Sequence, residues 1–487
     1  MRKFIGLKTA CAALALLAAT AITLPAQTFT SLLSFDGTDG ANPYAALVQA
    51  TDGNLYGTTF TGGANGGGTV FRITPSGALM TLYSFCSQSG CTDGVVPWGG
   101  LLQATDGNFY GTTYSGGANG YGTVFKITAS GTLTTVYSFC SKAGCADGEL
   151  PYAPLLQATN GNFYGTTASG GANGYGTVFE ITPSGTLTTL YSFCSQSGCT
   201  DGSNPLARLV QATNGNFYGT TYFGGANGYN YGTVFKITPS GTLTTLYSFC
   251  SLTNCTDGAN SFAGLVQATN GDFYGTTSNG PHGYNYGTVF KITPSGTLTT
   301  LYSFCSLTNC TDGANPYAGL VQATNGDFYG TTSSGADGGG TVFKITASGT
   351  LTTLYSFCSQ SGCTDGNEPL ATLVQDTNGS FYGTTWLGGA SDACASGCGT
   401  VFSLSVGLAP FLETQPTLGP VGMPVKILGT NLTGATSVTF NGTPAVFTVF
   451  SSSLIGAKVP AGATTGTVQV VTPSGTFSSN VPFRVRH

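Results

Sequence analysis

The 487-residue chain is predicted to be all-β, a seven-bladed β-propeller followed by a small β-sandwich. Three observations predict this fold. A unit of about 54 residues recurs seven times, each unit contains four short β-prone segments without helical periodicity, and the repetition stops near Gly407. A period of this size indicates a propeller or a solenoid, and four antiparallel strands per repeat favour the propeller.

Each repeat contains four strands and two tight turns. In the fourth copy LVQA leads into the turn at Asn214 and Gly215, and FYGTT, GTVFKIT and LTTLYSF follow. Asn-Gly between β-prone segments is a strong hairpin signal because both positions must accept positive φ. The seven copies are marked by the tyrosine of FYGTT: Tyr56, Tyr110, Tyr164, Tyr218, Tyr274, Tyr329 and Tyr382.

The two ends of the repeat region complement each other. The seventh copy lacks its LTTLYSF strand, whereas FTSLLSF at residues 29–35 is an isolated copy of that strand before the first repeat. We therefore expect the N-terminal strand to complete the last blade and close the propeller, which leaves no large open sheet edge.

Loop lengths distinguish two faces. The distance from the phenylalanine of GTVF to the next marker tyrosine is always 39 residues, whereas the tyrosine-to-phenylalanine distance within a repeat varies from 14 to 20. The variation therefore lies between strands two and three, on the side that also carries the links between blades. We call this side the loop face and the side with the tight turns the turn face. Binding residues concentrate on variable loops, which points to the loop face.

Aromatic residues in these loops are the candidate ligand contacts. Exposed tyrosines beside glycine and asparagine are typical of sugar-binding surfaces, with loop packing as the alternative. The candidates are Tyr121, Tyr175, Tyr229, Tyr231, Tyr284, Tyr286 and Trp386. A second aromatic set, which precedes LVQ and is replaced by leucine in two repeats, is interpreted as packing between blades: Tyr44, Trp98, Tyr152, Phe262 and Tyr317.

Cysteines recur on the loop face. Apart from Cys11, fourteen cysteines remain, an even number typical of disulfides in an exported chain. Metal binding by thiolates is the alternative. Such sites would be expected to include histidines, and the chain has only two. The predicted pairs are Cys86–Cys91, Cys140–Cys145, Cys194–Cys199, Cys250–Cys255, Cys305–Cys310, Cys358–Cys363 and Cys394–Cys398.

One aspartate in each link between blades precedes a glycine. Seven carboxylates on one face could bind calcium, but no Asp-x-Asp-x-Asp spacing accompanies them, so turn formation is the favoured role and no cofactor is expected. The aspartates are Asp39, Asp93, Asp147, Asp201, Asp257, Asp312 and Asp365.

Residues 1–26 combine Arg2, Lys3 and Lys8 with an apolar stretch and predict a cleaved signal peptide that includes Cys11. The remaining chain has 11 basic and 19 acidic residues, a net charge of −8, which argues against nucleic-acid binding. No other apolar segment is long enough to span a membrane. We expect a secreted or outer-surface monomer.

No catalytic residues are predicted. The mature chain has four glutamates without an evident pair, and HExxH, GxSxG and phosphate-loop motifs are absent. A carbohydrate-active enzyme that uses two aspartates from different blades is the enzymatic alternative.

The unit DGNFYGTTxxGGxxGxGTVFKITPSGTLTTLYSF resembles the tandem repeat of the GloVer (Gloeobacter/Verrucomicrobium-type) exported proteins, over about residues 28 to 406. This resemblance implies export and surface association and supplies no site residues. The chain departs from the anchored members because NVPFRVRH at its end contains no anchoring signal.

The segment beyond residue 415 resembles an immunoglobulin-like IPT/TIG domain. The matching residues are Gly429, Thr430, Asn431, the VTFNGTPA run from Val438, Val459, Pro460 and Gly466. In that family the module is a spacer or a binding domain, and the spacer role is favoured here.

The predicted domains are the propeller at 27–408, a linker at 409–415 and the IPT/TIG domain at 416–487. The predicted function is non-enzymatic recognition of a polysaccharide or an envelope partner through the loop face. A purely structural extracellular scaffold is the alternative.

Overall fold

The computed structural model describes residues 27–281, 286–336 and 338–486, so the predicted signal peptide lies outside the described residues. The all-β fold is confirmed. Short 3-10 helices occur in six links between sheets: Ser89–Cys91, Ala143–Cys145, Ser197–Cys199, Thr253–Cys255, Thr308–Cys310 and Ser361–Cys363. None of the helices in the described part of the chain is long and apolar enough to cross a membrane.

The repeat region forms seven four-stranded antiparallel sheets, an arrangement that fits a propeller. Its strands are β1 (Thr28–Ser34), β2 (Val48–Gln49), β3 (Leu55–Thr59), β4 (Thr69–Ile73), β5 (Leu79–Ser84), β6 (Leu102–Gln103), β7 (Phe109–Thr113), β8 (Thr123–Ile127), β9 (Leu133–Ser138), β10 (Leu156–Gln157), β11 (Phe163–Thr167), β12 (Thr177–Ile181), β13 (Leu187–Ser192), β14 (Val210–Gln211), β15 (Phe217–Thr221), β16 (Thr233–Ile237), β17 (Leu243–Ser248), β18 (Val266–Gln267), β19 (Phe273–Thr277), β20 (Thr288–Ile292), β21 (Leu298–Ser303), β22 (Val321–Gln322), β23 (Phe328–Thr332), β24 (Thr341–Ile345), β25 (Leu351–Ser356), β26 (Val374–Gln375), β27 (Phe381–Thr385) and β28 (Thr400–Ser405).

Six sheets each use four consecutive strands, from β2-β3-β4-β5 to β22-β23-β24-β25. The last sheet has the order β1-β28-β27-β26. The predicted pairing of the N-terminal strand with the last repeat is therefore confirmed, with Phe29 opposite Leu404 and Ser34 opposite Thr400.

The FYGTT strand is buried along its whole length in each sheet. Its glycine has a steric role, because a Cβ added at Gly219 would lie 2.7 Å from Cζ of Phe235. Two residues further on, the hydroxyls of Thr221 and Thr233 lie 2.9 Å apart and join the second and third strands. The constant residues of this strand thus serve packing.

Neighbouring sheets are joined by an aromatic contact and a hydrogen bond. Tyr218 stacks on Phe273 of the next sheet with ring centroids 4.2 Å apart. The amide of Thr213 donates to Oε1 of Gln267 at 3.1 Å. Between the last sheet and the first, the amide of Thr377 donates in the same way to Oε1 of Gln49 at 3.0 Å.

The C-terminal domain, residues 412–486, contains two four-stranded sheets and a two-stranded parallel pair. Its strands are β29 (Glu413–Gln415), β30 (Leu418–Pro420), β31 (Pro424–Leu428), β32 (Ser437–Phe440), β33 (Thr443–Pro444), β34 (Phe447–Val449), β35 (Leu454–Lys458), β36 (Val468–Thr472), β37 (Gly475–Ser478) and β38 (Arg484–Arg486). The predicted linker at 409–415 overlaps β29, which pairs with β31. The domain begins earlier than predicted because Leu412 is buried in its core.

This domain contacts the turn face of the repeat region. The hydroxyls of Thr377 and Thr430 lie 3.0 Å apart, and the Ser453 hydroxyl donates to the carbonyl of Thr51 at 3.2 Å. Nζ of Lys426 donates to the carbonyl of Thr105 at 3.4 Å. The turn face is thus partly covered, whereas the loop face lies on the opposite side.

Candidate functional site

The loop face exposes three of the predicted ligand-contact tyrosines. Tyr121, Tyr175 and Tyr229 have exposed fractions of 42%, 38% and 43%. Tyr231 and Tyr286 are half-buried, and Tyr231 packs against the core cluster that contains Tyr218. Tyr284 lies outside the described residues. Of the five described positions, three are thus exposed and two are half-buried.

A continuous row of aromatic side chains crosses part of the loop face. Its ring centroids are separated by 6.2 Å between Tyr175 and Tyr229, 5.6 Å between Tyr229 and Phe223, and 4.5 Å between Phe223 and Tyr222. Tyr222 then contacts Phe262 at 4.6 Å, and Phe262 contacts Tyr317 at 5.0 Å. We call these six residues the aromatic row. Phe223 and Tyr229 are nearly parallel, with an interplanar angle of 14°.

The aromatic residues that precede LVQ contact one another across the centre of the propeller. Trp98 and Tyr152 of adjacent sheets have ring centroids 4.4 Å apart. Tyr44 and Tyr152 lie two sheets apart in the chain, yet their centroids are 6.1 Å apart. These contacts agree with the sequence interpretation of packing between blades, and they also join blades that are not neighbours because side chains that converge on an axis meet across it.

Trp386 lies beside this central group. Its ring contacts Tyr44 at 5.7 Å and Phe60 at 5.1 Å. Phe60, Tyr114 and Tyr222 each follow the GTT of the second strand, the position that Trp386 occupies in the last repeat, and the sequence analysis singled out Trp386 alone there. The aromatic pattern at this position is weak because alanine or serine occupies it in three repeats.

The aspartates of the links between sheets are held by hydrogen bonds within their own loops. Asp93 is fully buried, and its Oδ2 accepts from the Tyr83 hydroxyl at 2.8 Å and from the amide and hydroxyl of Ser87 at 2.9 and 3.0 Å. Its Oδ1 accepts from the Gln88 amide at 3.3 Å. The same pattern holds in five further links, at Asp147, Asp201, Asp257, Asp312 and Asp365.

These hydrogen bonds affect ionisation. Burial by itself would raise the pKa of Asp93, but the bonds from Ser87 and Tyr83 outweigh it and hold that pKa below its usual value. Burial and the nearby Asp147 raise the pKa of Tyr137 to about 12. Asp39 differs, because its carboxylate accepts from the Asp36 amide and burial raises its pKa.

All seven predicted disulfides are formed in the structure. Such a number is typical of proteins that fold outside the reducing cytoplasm. Among the described residues, the one close group of three potential metal ligands is Cys140, Cys145 and Glu149. Its two cysteines are bonded to each other and do not offer thiolates.

A large cavity lies between the first strands of the seven sheets and the C-terminal domain. Its volume is about 2040 Å³, and the central aromatic residues line it on the loop-face side. We call it the central cavity. Its wall includes four basic residues, Arg208, Lys426, Lys458 and Arg484. The Arg208 side chain is exposed to this space.

Two carboxyl groups lie at the junction of the repeat region and the C-terminal domain. Asp376 is 2% exposed, and its Oδ2 has no hydrogen-bond partner among the described residues. Burial raises its pKa to about 6. Burial and the charge of Asp376 raise the pKa of Glu413, which lines the central cavity, to about 7.

Comparisons with known proteins cover both parts of the chain. A family model described as the Gloeobacter/Verrucomicrobia repeat matches residues 19–229, 145–311 and 229–414. A model described as the IPT/TIG domain matches residues 412–485. A search of curated proteins found no match.

Among the solved structures that resemble the chain at low identity are two whose matches cover most of it. One is the extracellular domain assigned to a hybrid two-component system of B. thetaiotaomicron, with a TM-score of 0.51 and 12% identity. The match covers 95% of this chain and 59% of that one, so this chain spans less than two thirds of its length. The other is a fungal alcohol oxidase of the AA5 family in complex with copper, with a TM-score of 0.50, 13% identity, and coverage of 93% and 98%. Both likenesses show the fold alone.

Proposed function

This chain belongs to the Gloeobacter/Verrucomicrobia repeat family and ends in an IPT/TIG domain, and we propose that it is a non-enzymatic extracellular protein that binds a polysaccharide through its loop face. The aromatic row carries this proposal. Tyr175 and Tyr229 present exposed rings, and Phe223 and Tyr222 connect them to the centre of the face.

Stacked aromatic side chains suit a sugar surface for two physical reasons. Their flat faces cover the apolar C–H faces of sugar rings, and each tyrosine hydroxyl offers a hydrogen bond at the edge. Few charges accompany them, since charged residues make up 7% of the chain. The polysaccharide proposed for the loop face is therefore a neutral one.

The non-enzymatic part of the proposal is supported by the link aspartates. An aspartate that acts as acid or base in glycoside hydrolysis must reach the substrate. Asp93 and its five equivalents are fully buried, and each accepts hydrogen bonds from its own loop. These carboxylates stabilise the conformation of the loops that contain them.

The experiment is a binding screen of the full exported chain against neutral polysaccharides, followed by affinity measurements on variants. We expect Tyr229→Ala and Tyr175→Ala to weaken binding at least tenfold, since stacking on an aromatic face is lost. Tyr121→Ala is the matched control, because this tyrosine is equally exposed but has no ring contact among the described residues. An absence of binding to every neutral polysaccharide tested would leave the structural scaffold as the better account.

A further inference from the structure

The central cavity differs in charge from the rest of the protein. Beyond residue 26 the chain has 11 basic and 19 acidic residues. Four of the basic residues line the cavity, whereas Glu413 is the one acidic residue among its described lining. The positive charge of this space raises the local concentration of anions above that in the bulk solution.

Arg208 is the main charged group on the repeat side of the cavity. The equivalent position holds a small or uncharged residue in every other repeat: Ala46, Gly100, Pro154, Gly264, Gly319 and Thr372. Packing of the inner strands therefore does not require an arginine. Within the described part of the chain its guanidinium has neither an ion pair nor a side-chain hydrogen bond. Such a group is suited to a bidentate contact with a carboxylate.

The opposite wall carries the other cations. Lys458 and Arg484 belong to the C-terminal domain and are exposed to solvent. Lys426, on the same wall, also donates to the carbonyl of Thr105. A ligand in this space thus meets positive charge from two domains.

The arrangement of contacts indicates where a ligand enters. The C-terminal domain forms its hydrogen bonds to the turns at Thr51, Thr105 and Thr377, in the first, second and last sheets. The turns at Asn160, Thr213 and Thr269, in the third, fourth and fifth sheets, line the cavity and have no hydrogen bond to the C-terminal domain among the described residues. The opening therefore faces the third, fourth and fifth sheets.

We propose that the central cavity is a second binding site, which takes an acidic oligosaccharide through carboxylate contacts with Arg208 and with Lys458 and Arg484 of the C-terminal domain. Its volume of about 2040 Å³ exceeds the roughly 300–1,000 Å³ of small-molecule pockets, which favours a chain of several sugar units over a single small anion. The cavity shares Phe262 and Tyr317 with the central end of the aromatic row, but its charged residues lie outside that row, and the site goes beyond the proposed function.

Titration calorimetry at low salt tests the proposal, with a six-unit oligogalacturonate as the probe. Its fully methyl-esterified form supplies the same chain without charge, and inorganic phosphate supplies charge without the chain. We expect the wild-type protein to bind the oligogalacturonate at least tenfold more tightly than either control. Equal binding of the esterified probe, or of phosphate, would overturn the proposal.

Substitutions then locate the site. Arg208→Gly introduces the residue that three other repeats carry, and we expect it to weaken oligogalacturonate binding at least tenfold. Lys458→Ala should weaken it as well, because the ligand contacts both walls. Lys142→Ala removes one positive charge from a link on the loop face, and Tyr229→Ala changes the aromatic row, so both should retain wild-type affinity. Undiminished binding by a folded Arg208→Gly variant, verified by its melting temperature, would contradict the assignment.

Discussion

The Tyr83 hydroxyl donates a 2.8 Å hydrogen bond to Oδ2 of Asp93, a carboxylate with no exposed surface. The tyrosine belongs to the last strand of one sheet, and the aspartate lies in the link to the next. The same pair recurs in five further links. Each link is thereby tied to the sheet that precedes it.

Asp93→Asn should destabilise the protein by about 2–4 kcal/mol, because a buried acceptor of four hydrogen bonds gains a donor that faces other donors. Urea unfolding measures this change. Asp39→Asn is the control, with a smaller expected loss because Asp39 is only half-buried. Equal losses for the two variants would contradict the role given to the Tyr83–Asp93 pair.

The same network gives a pH dependence. The folded pKa of Asp93 and of Asp147 lies below the ordinary value of 3.8. Stability from these carboxylates is therefore present above pH 3.8 and lost as the pH falls through the lower folded pKa. We expect the melting temperature to fall below pH 3.8, and less steeply in the Asp93→Asn variant. Parallel pH profiles for the two proteins would refute this.

Calcium should leave the melting temperature unchanged. The lone pairs of Asp93 and its equivalents already accept protein hydrogen bonds, so a cation would have to displace those donors. Calorimetric scans with calcium and with a chelator measure this, and manganese controls for a general ionic effect. A rise of several degrees with calcium alone would instead favour the alternative role of the aspartates as calcium ligands.

Asp376→Ala should stabilise the protein at neutral pH. Six repeats carry alanine at this position, and burial raises the pKa of Asp376 to about 6. Because the folded state favours the protonated acid, its stability is full below pH 3.8 and decreases as the pH rises to about 6. The shift of about two units corresponds to roughly 3 kcal/mol.

We expect the Asp376→Ala variant to gain about 2 kcal/mol of unfolding free energy at pH 8 and almost nothing at pH 3.5. Urea unfolding at both pH values measures this difference. A loss of stability at pH 8 would show that the carboxylate has a favourable partner.

Phe273 tests the packing between sheets. It is completely buried and stacks on Tyr218 at 4.2 Å, whereas the first repeat has Leu55 at the same position. Phe273→Ala should cost about 3–5 kcal/mol, and Phe273→Leu about 1 kcal/mol, since leucine nearly fills the space. Calorimetry on both variants checks the order. Similar costs would mean that the ring contact, rather than the filled volume, determines stability here.

The repeat predicts much of the fold because its signals are local and occur seven times. The Asn-Gly turns, the alternation in GTVFKIT and the spare strand at residues 29–35 were sufficient to predict the sheets and the pairing of β1 with β28. The disulfide pairs followed from a spacing of five residues that recurs in six links. In each case the residues that interact are either adjacent in sequence or marked by a repeated pattern.

The sites were less accessible to sequence reasoning. Exposed Tyr229 was among the candidates, but its neighbours Phe223 and Tyr222 were not, because these positions vary between repeats. Arg208 and Asp376 each break a pattern of small residues, a signal that the repeat alignment contains and that the prediction did not use. The central cavity depends on how the C-terminal domain contacts the turns, which no local pattern specifies. The roles of the predicted ligand and metal residues remain predictions.

The pairing of β1 with β28 constrains the order in which the chain can fold. The N-terminal strand is synthesised first, yet its partner emerges hundreds of residues later. During that interval it is an unpaired β-strand with Leu32 and Leu33 available to other chains, the kind of segment that aggregates. Yield of this protein should therefore depend on how quickly the last repeat follows the first during synthesis.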